Sequence, residues 1–458
     1  MKRRAGNSAT ATLAALYAEI CDNISISRTI TLQSDATKRY NKPMVDPVQY
    51  PRYAEPHLRE ALADSPVVLI HGPRQCGKTT LAKQVGIPLG YEYLTFDDAL
   101  VRAAALADPT GFVDGLSERM ILDEVQRVPE LFLAIKVAVD RRRVPGRFLL
   151  AGSANVLLVP TLADSLAGRM QMLRLHPLAQ CELESHVPHF IDALFTNGFH
   201  LKRTDRLGDE LARRIADGGF PAAIARPDGR RRAAWYRDYL DALVQRDVRE
   251  MARISSLDVL PRLLALAAGQ TAQLFNVSEL ASPFQLSRPT IRDYITLLER
   301  VFLLETLPPW HSNRLSRLIK TPKLHLTDTG LACTLLGVNA ADLIADRTLL
   351  GPLLETFVFQ ELRRQASWRD EQLTFFHFRD KDGVEVDIVL ERGTRAIAGV
   401  EVKASATVTV ADFRGLRKLR DATGKRFAGG VVLYDGETTV RFSEGLYAVP
   451  IRALWGRV

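Results

Sequence analysis

Residues 71–80 read HGPRQCGKTT, and within them Gly72-Pro73-Arg74-Gln75-Cys76-Gly77-Lys78-Thr79 fits the pattern G-x-x-x-x-G-K-[ST]. An apolar run precedes it and a helical stretch follows, which is the context this motif requires. Such a loop wraps so that backbone N–H groups point at phosphate oxygens. Lys78 would reach the β- and γ-phosphates of ATP, and the Thr79 hydroxyl would join a Mg²⁺ shell, with Thr80 beside it. A chance glycine turn would not bring Lys78 and Thr79 together.

A second strand must supply carboxylates, and MILDE at 120–124 does so. Asp123 is expected to hold Mg²⁺ through water and Glu124 to polarise the attacking water. One strand, 91–96, intervenes in sequence. The next strand ends in AGSAN, where Ser153 or Asn155 would sense the γ-phosphate. Arg169, in DSLAGRM, is placed to reach a neighbouring subunit's γ-phosphate. Cys76 lies inside the loop at a helix N-terminus, which should favour its thiolate and expose it to oxidation or alkylation.

The elements that carry these residues alternate. VVLIH (67–71), YEYLTF (91–96), MILDE (120–124), RFLLAGS (147–153) and MQMLRL (170–175) read as buried parallel strands. Helical stretches such as ELFLAIKVAVDRR separate them, so an α/β parallel sheet covered on both faces is expected. From about residue 179 the chain turns helical, and Tyr236, Tyr239, Leu243 and Val248 form one apolar stripe. VSELASPFQLSRPTIRDYITLLERVFLLETL then reads as helix, turn, and a longer helix capped by Ser287. A strand follows, giving a winged helix-turn-helix. Ile291, Ile295, Leu298 and Val301 would face inward, leaving Arg288, Thr290 and Arg292 near the exposed N-terminal end.

Length and composition set the frame. A chain of 458 residues, 47% hydrophobic and 25% charged, implies two to four globular domains. No apolar run is long enough to span a bilayer, and the start, MKRR followed by ATLAALYAEICD, lacks a secretory pattern. Cys21, Cys76, Cys181 and Cys333 are scattered without a CxxC pair, which fits a reducing cytoplasm. A net charge of +8 is compatible with a polyanionic partner and equally with arginine-rich usage. Residues 1–45 show little periodicity and read as a poorly ordered tail, with Met44 an alternative start.

HGPRQCGKTTLAKQ, ILDEVQRVPELF, LLAGSANVLL and SLAGRM resemble the bacterial and archaeal AAA-type ATPases that carry a C-terminal companion domain. GGFP (218–221), YLDALVQRDV, LTDTGLA and EVDIVLE…GVEVK resemble that companion. The resemblance runs from about residue 50 to the C-terminus. It implies an AAA-type core over 46–178, a helical lid over 179–255, a winged helix over 256–320, and a PD-(D/E)XK nuclease-like domain over 321–458. Such a nuclease site sets a helix Glu, a hairpin-strand Asp and an E-x-K strand around Mg²⁺ or Mn²⁺. Glu355, Asp387, and Glu401 with Lys403 stand in that order, with a DKDG turn at 380–383 beside Asp387. Glu385 shares a face with Asp387 and is an alternative ligand.

The reading that results is an ATP-hydrolysing, DNA-acting protein, homo-oligomeric and cytoplasmic, that remodels duplex or branched DNA. Its nuclease-like module would cut or only grip. The competing reading is a nucleotide-gated switch that binds a partner, as in defence or toxin regulation, with its basic residues a solvated face.

Overall fold

Five parallel strands build the first half: β1 (Val67–His71), β2 (Glu92–Thr95), β3 (Met120–Asp123), β4 (Phe148–Gly152) and β5 (Met170–Arg174). Their order is β2-β3-β4-β1-β5. The inner strands β1, β3 and β4 are buried throughout, whereas the edges β2 and β5 are partly exposed. That is why the inner three read as unbroken apolar runs. Helices α1 (Glu55–Asp64), α2 (Lys78–Gly86) and α3 (Leu131–Arg141) cover the sheet. The strand that intervenes in sequence is the sheet edge. In space β4 separates the loop strand β1 from the carboxylate strand β3.

This computed structural model describes residues 49–153, 166, 168–196, 198–245, 259–313, 317 and 321–456. They belong to one compact unit spanning 49–458. The expected tail, Asn155 and Val248 lie outside the described residues.

The middle segment contains α4 (Asp209–Asp217), α5 (Gly229–Leu243) and α6 (Val259–Gly269). On α5, Trp235, Tyr236, Tyr239 and Leu243 are buried, and Phe220 packs against the three rings. The chain continues through β6 (Gln273–Leu274), α7 (Val277–Ala281), α8 (Arg288–Arg300), β7 (Leu304–Leu307) and β8 (Lys323–Leu326). Ser287 caps α8 by accepting the Thr290 N–H, and Ile291, Ile295, Leu298 and Val301 are buried beneath it. Strands β6, β8 and β7 form one antiparallel sheet in that order. The boundary drawn at residue 320 therefore falls between two strands of a single sheet.

Beyond it come α9 (Thr329–Leu336), α10 (Arg347–Ala366), β9 (Leu373–Arg379), β10 (Glu385–Arg392) and β11 (Ala396–Lys403). Then follow α11 (Arg414–Thr423), β12 (Phe427–Tyr434), β13 (Val440–Ser443) and β14 (Leu446–Pro450). The six strands lie in the order β13-β14-β12-β11-β10-β9, with β9, β10 and β11 antiparallel and β12 parallel to β11. The turn before β10 is held by Asp380, whose side chain accepts from the Asp382 and Val384 amides. One apolar core runs through the middle and C-terminal segments, a second covers the other face of the six-stranded sheet, and the first sheet has separate cores on its two faces.

Candidate nucleotide site and a C-terminal acidic cluster

The loop between β1 and α2 is folded as a phosphate cradle. A Cβ at Gly72 would lie 2.1 Å from the Leu175 carbonyl oxygen, so only glycine lets the loop pass the end of β5 this closely. Lys78 is buried and its ammonium donates to the carbonyls of Gly72 and Pro73, at 3.0 and 2.8 Å. Anionic oxygens entering the loop would compete for that ammonium. The Thr79 hydroxyl donates to Asp123 at 2.7 Å, and Tyr93 donates to the same carboxylate oxygen at 3.0 Å. Thr79 and Asp123 thus present two oxygens side by side, a donor set that suits Mg²⁺ with waters completing its octahedron. Burial and Asp123 push the Tyr93 hydroxyl up to about 12, so it stays a donor.

Glu124 follows directly in a left-handed conformation, φ 55°, which a non-glycine residue adopts at a cost. Its carboxylate accepts from Gln126 and, at 3.2 Å, from the Ser153 hydroxyl. Gln126 also donates to Ser153 at 2.9 Å, which closes a triangle. Ser153, expected as a γ-phosphate sensor, instead contacts the carboxylate expected to activate water. Gln126 was not singled out in sequence, because nothing in VQR distinguishes it from an ordinary turn residue.

Arg52, just before α1, was also missed. It donates to the carbonyls of Cys76 and His176, both at 2.7 Å, and pairs with Glu182 at 3.1 Å. A nearly buried guanidinium thus ties the loop to the chain after β5. Gln75 and Thr80 are exposed at the loop mouth, and Arg74 is half-buried. Cys76 is fully buried, with its thiol against the Leu175 carbonyl at 3.4 Å. The expected accessibility to alkylation is corrected: the side chain points into the fold and not toward the phosphates. Arg169 is bound within its own chain, bidentate to Asp140 of α3.

The sheet is joined to the C-terminal half by charge. Arg174, at the end of β5, and Arg363, on α10, both reach Glu305 of β7. Burial opposes ionisation of Glu305, yet the two guanidiniums hold its carboxyl down at about 2. A second joint is deeper. Asp328 accepts from Tyr236 at 2.8 Å, from the Gly219 amide at 2.7 Å and from Arg364 at 3.3 Å. Arg364 also donates to the Leu178 carbonyl. A Cβ at Gly218 would sit 2.2 Å from both Asp328 and Tyr236. GGFP, the tyrosine helix and LTDTGLA are therefore parts of one buried hydrogen-bonded knot.

Glu355, Asp387, Glu401 and Lys403 converge as their order suggested, but a fifth group lies among them. Lys323 of β8, 3% exposed, has its Nζ 2.7 Å from Glu355, 3.4 Å from Asp387 and 3.9 Å from Glu385. Lys403 pairs with Glu401 at 2.8 Å, and the Val402 amide donates to Asp387. Glu385 is engaged on the outside by Arg379. Three inner carboxylates thus share two ammoniums, leaving one negative charge. Burial, then the Asp387 charge, raises the pKa of both Glu355 and Glu401 above the ordinary carboxylate value. Burial opposes the charge on Lys323, but Glu355 and Asp387 outweigh it and hold its pKa above the ordinary lysine value.

A divalent ion does not fit this arrangement. Lys323 Nζ fills the place between Glu355 and Asp387 where the cation would stand. Among the described residues, the group whose ligand atoms converge within 4.8 Å is His57, Glu60 and Asp370 on the surface, not the Glu355 set. A metal at Glu355, Asp387 and Glu401 would require Lys323 to leave that place. No spacing rule pointed to Lys323, because it arrives from a strand of another sheet.

Comparison with known proteins gives three family descriptions: "AAA domain" over residues 64–184, "Domain of unknown function (DUF8612)" over 208–342, and "Domain of unknown function (DUF4143)" over 350–454. The chain is 31% identical over 401 residues to "Uncharacterized protein Rv2008c" of Mycobacterium tuberculosis, covering 87% of this chain and 83% of that protein. It is 26% identical over 352 residues to "Uncharacterized protein MJ1544" of Methanocaldococcus jannaschii, covering 72% and 73%. Among solved structures it is similar to the Walker-type ATPase PABY2304 of Pyrococcus abyssi, with 15% identity, 62% and 94% coverage, and a TM-score of 0.39. It is also similar to the RuvB Holliday junction branch migration motor of Thermotoga maritima, with 17% identity, 56% and 89% coverage, and a TM-score of 0.27. With its phosphate cradle on a parallel five-stranded sheet and its DUF4143 C-terminal part, the chain belongs to the family of AAA-domain proteins that includes Rv2008c.

Proposed function

We propose that this protein hydrolyses ATP with Mg²⁺ and uses the cycle to remodel duplex or branched DNA held by its middle and C-terminal segments. The observation that carries the first half is the contact of Thr79 with Asp123, directly beside the restrained carboxylate of Glu124. In this reading Thr79 and Asp123 would hold Mg²⁺, which would supply neutralisation of phosphate charge. Lys78 transfers its hydrogen bonds from the loop carbonyls to the phosphates. Glu124, released from Gln126 and Ser153, polarises water.

Support for DNA comes from the middle segment. Its order of helix, strand, helix, helix and two strands supports the winged-helix reading. Arg288 and Arg292 are exposed at the N-terminal end of α8, free to meet phosphates or base edges. The C-terminal order of helix, three-strand meander, helix and parallel strand supports the nuclease-like reading of that fold. Lys323 in the cation position makes it a grip and not a blade. Arg169, now paired with Asp140, would serve a neighbouring subunit only after leaving that partner. The same Lys323 favours the second reading, a nucleotide-gated switch acting on a protein partner.

The two readings separate on binding. DNA affinity should fall steeply with salt as counterions are released, and Arg288→Glu with Arg292→Glu should weaken it and flatten the slope. Undetectable binding at low salt, or binding indifferent to both substitutions, would favour the switch.

A further inference from the structure

A cavity of ≈ 580 Å³ opens between α4, the start of α5 and the end of α9. Four arginines line it: Arg213 from α4, and Arg230, Arg232 and Arg237 from α5, against a single carboxylate, Asp217. Arg232 donates to Asp217 at 2.6 Å, while its Nε is buried with no hydrogen-bond partner. Arg213, Arg230 and Arg237 are exposed and make no ion pair among the described residues. Among the described residues these three positive charges have no ion-pair partner around one concavity, and such self-repulsion is unfavourable until an anion enters. The floor is apolar, with Cys333 and Val338 at the end of α9.

We propose that this cavity binds a small organic phosphate of nucleotide size carrying two or more phosphate groups. The volume lies in the range of small-ligand sites, roughly 300–1,000 Å³. Planar guanidinium forks match phosphate oxygens in bidentate geometry, and the cations lining the cavity among the described residues are all arginines, the type that reads phosphate by shape as well as charge. An incoming phosphate would draw in the exposed forks of Arg230 and Arg237. The apolar floor would take the organic body of the ligand. The site is separate from the loop at Lys78 and does not depend on the proposed ATPase cycle. Its ligand could be a free nucleotide or the phosphorylated end of a nucleic acid strand, which share this chemistry.

The test uses the full chain carrying Lys78→Ala, which silences the first site. Pyrophosphate, ADP, and a short oligonucleotide with or without a 5′-phosphate are titrated by calorimetry. Binding of pyrophosphate or ADP is expected, weakened about tenfold or more by Arg230→Glu with Arg237→Glu, as the loss of charge-assisted hydrogen bonds requires. Both residues are exposed, and unchanged circular dichroism would confirm the fold; Arg213→Glu gives an independent second variant. A preference for ADP identifies a free nucleotide, and a preference for the 5′-phosphorylated strand identifies a nucleic acid end. No binding to the Lys78→Ala protein, or affinity unchanged by all three arginine substitutions, would overturn the proposal.

Discussion

The Lys323 ammonium lies 2.7 Å from Glu355 and 3.4 Å from Asp387, so a buried side chain from a neighbouring sheet provides the cation for the C-terminal carboxylates. A buried ion network of this kind contributes little net stability when whole, but losing one partner strands the rest.

Lys323→Met is accordingly expected to destabilise the protein by ~3–5 kcal/mol in urea unfolding. Adding Glu355→Gln to that variant should recover part of the loss, because one uncompensated carboxylate is removed. Mn²⁺ should not raise the melting temperature of the native protein. A large Mn²⁺ shift, or a neutral Lys323→Met, would mean that the lysine yields its place to a metal.

Glu305 makes the joint between the two halves pH-dependent. Its carboxyl is held at about 2 against an ordinary value of 4.5, so its stabilisation is complete above pH 4.5 and is lost as pH falls toward 2. A difference of that size corresponds to roughly 3 kcal/mol at neutral pH. Glu305→Gln should therefore be less stable than native at pH 7, with the gap closing on acidification. A gap that stays constant from pH 7 to pH 3 would contradict the assignment.

At the nucleotide site, Glu124→Gln is expected to keep ATP affinity and lose turnover, whereas Lys78→Ala loses binding. Ser153→Ala should alter kcat more than KM, since Ser153 touches the Glu124 carboxylate and not the loop. Nucleotide binding and single-turnover hydrolysis measured side by side decide this. Native turnover by Glu124→Gln would remove Glu124 from the chemistry.

Cys76, fully buried against the Leu175 carbonyl, should resist alkylation in the native protein and react only after urea unfolding. Mass spectrometry of the labelled peptide gives the rate. Rapid native labelling that ATP suppresses would mean that the loop opens far more than its packing allows.

The loop, its strands and the Asp123-Glu124 pair were legible because their chemistry is local: strand, turn and helix follow one another and spacing carries the information. The order Glu355, Asp387, Glu401, Lys403 was legible only through the family resemblance, because these residues are far apart in the chain. Lys323, Arg52 and Gln126 were not. Lys323 reaches its carboxylates across 32 and 64 residues of chain, and Arg52 reaches Glu182 across 130, so no periodicity connects them. GGFP and LTDTGLA were visible as motifs, but only the fold shows that they meet at Asp328. The burial of Cys76 was misjudged because a helix N-terminus sets the local field but not the direction of the side chain.

ATP hydrolysis at Lys78, Thr79 and Glu124 is proposed to be coupled to DNA. It is tested most directly by the steady-state ATPase rate of the native protein without DNA and with duplex, single-stranded or junction DNA, with Glu124→Gln as the blank. The expected result is turnover that rises several-fold with at least one of these DNA forms and is absent from Glu124→Gln. A native rate that no DNA form changes, at low and physiological salt alike, would contradict it.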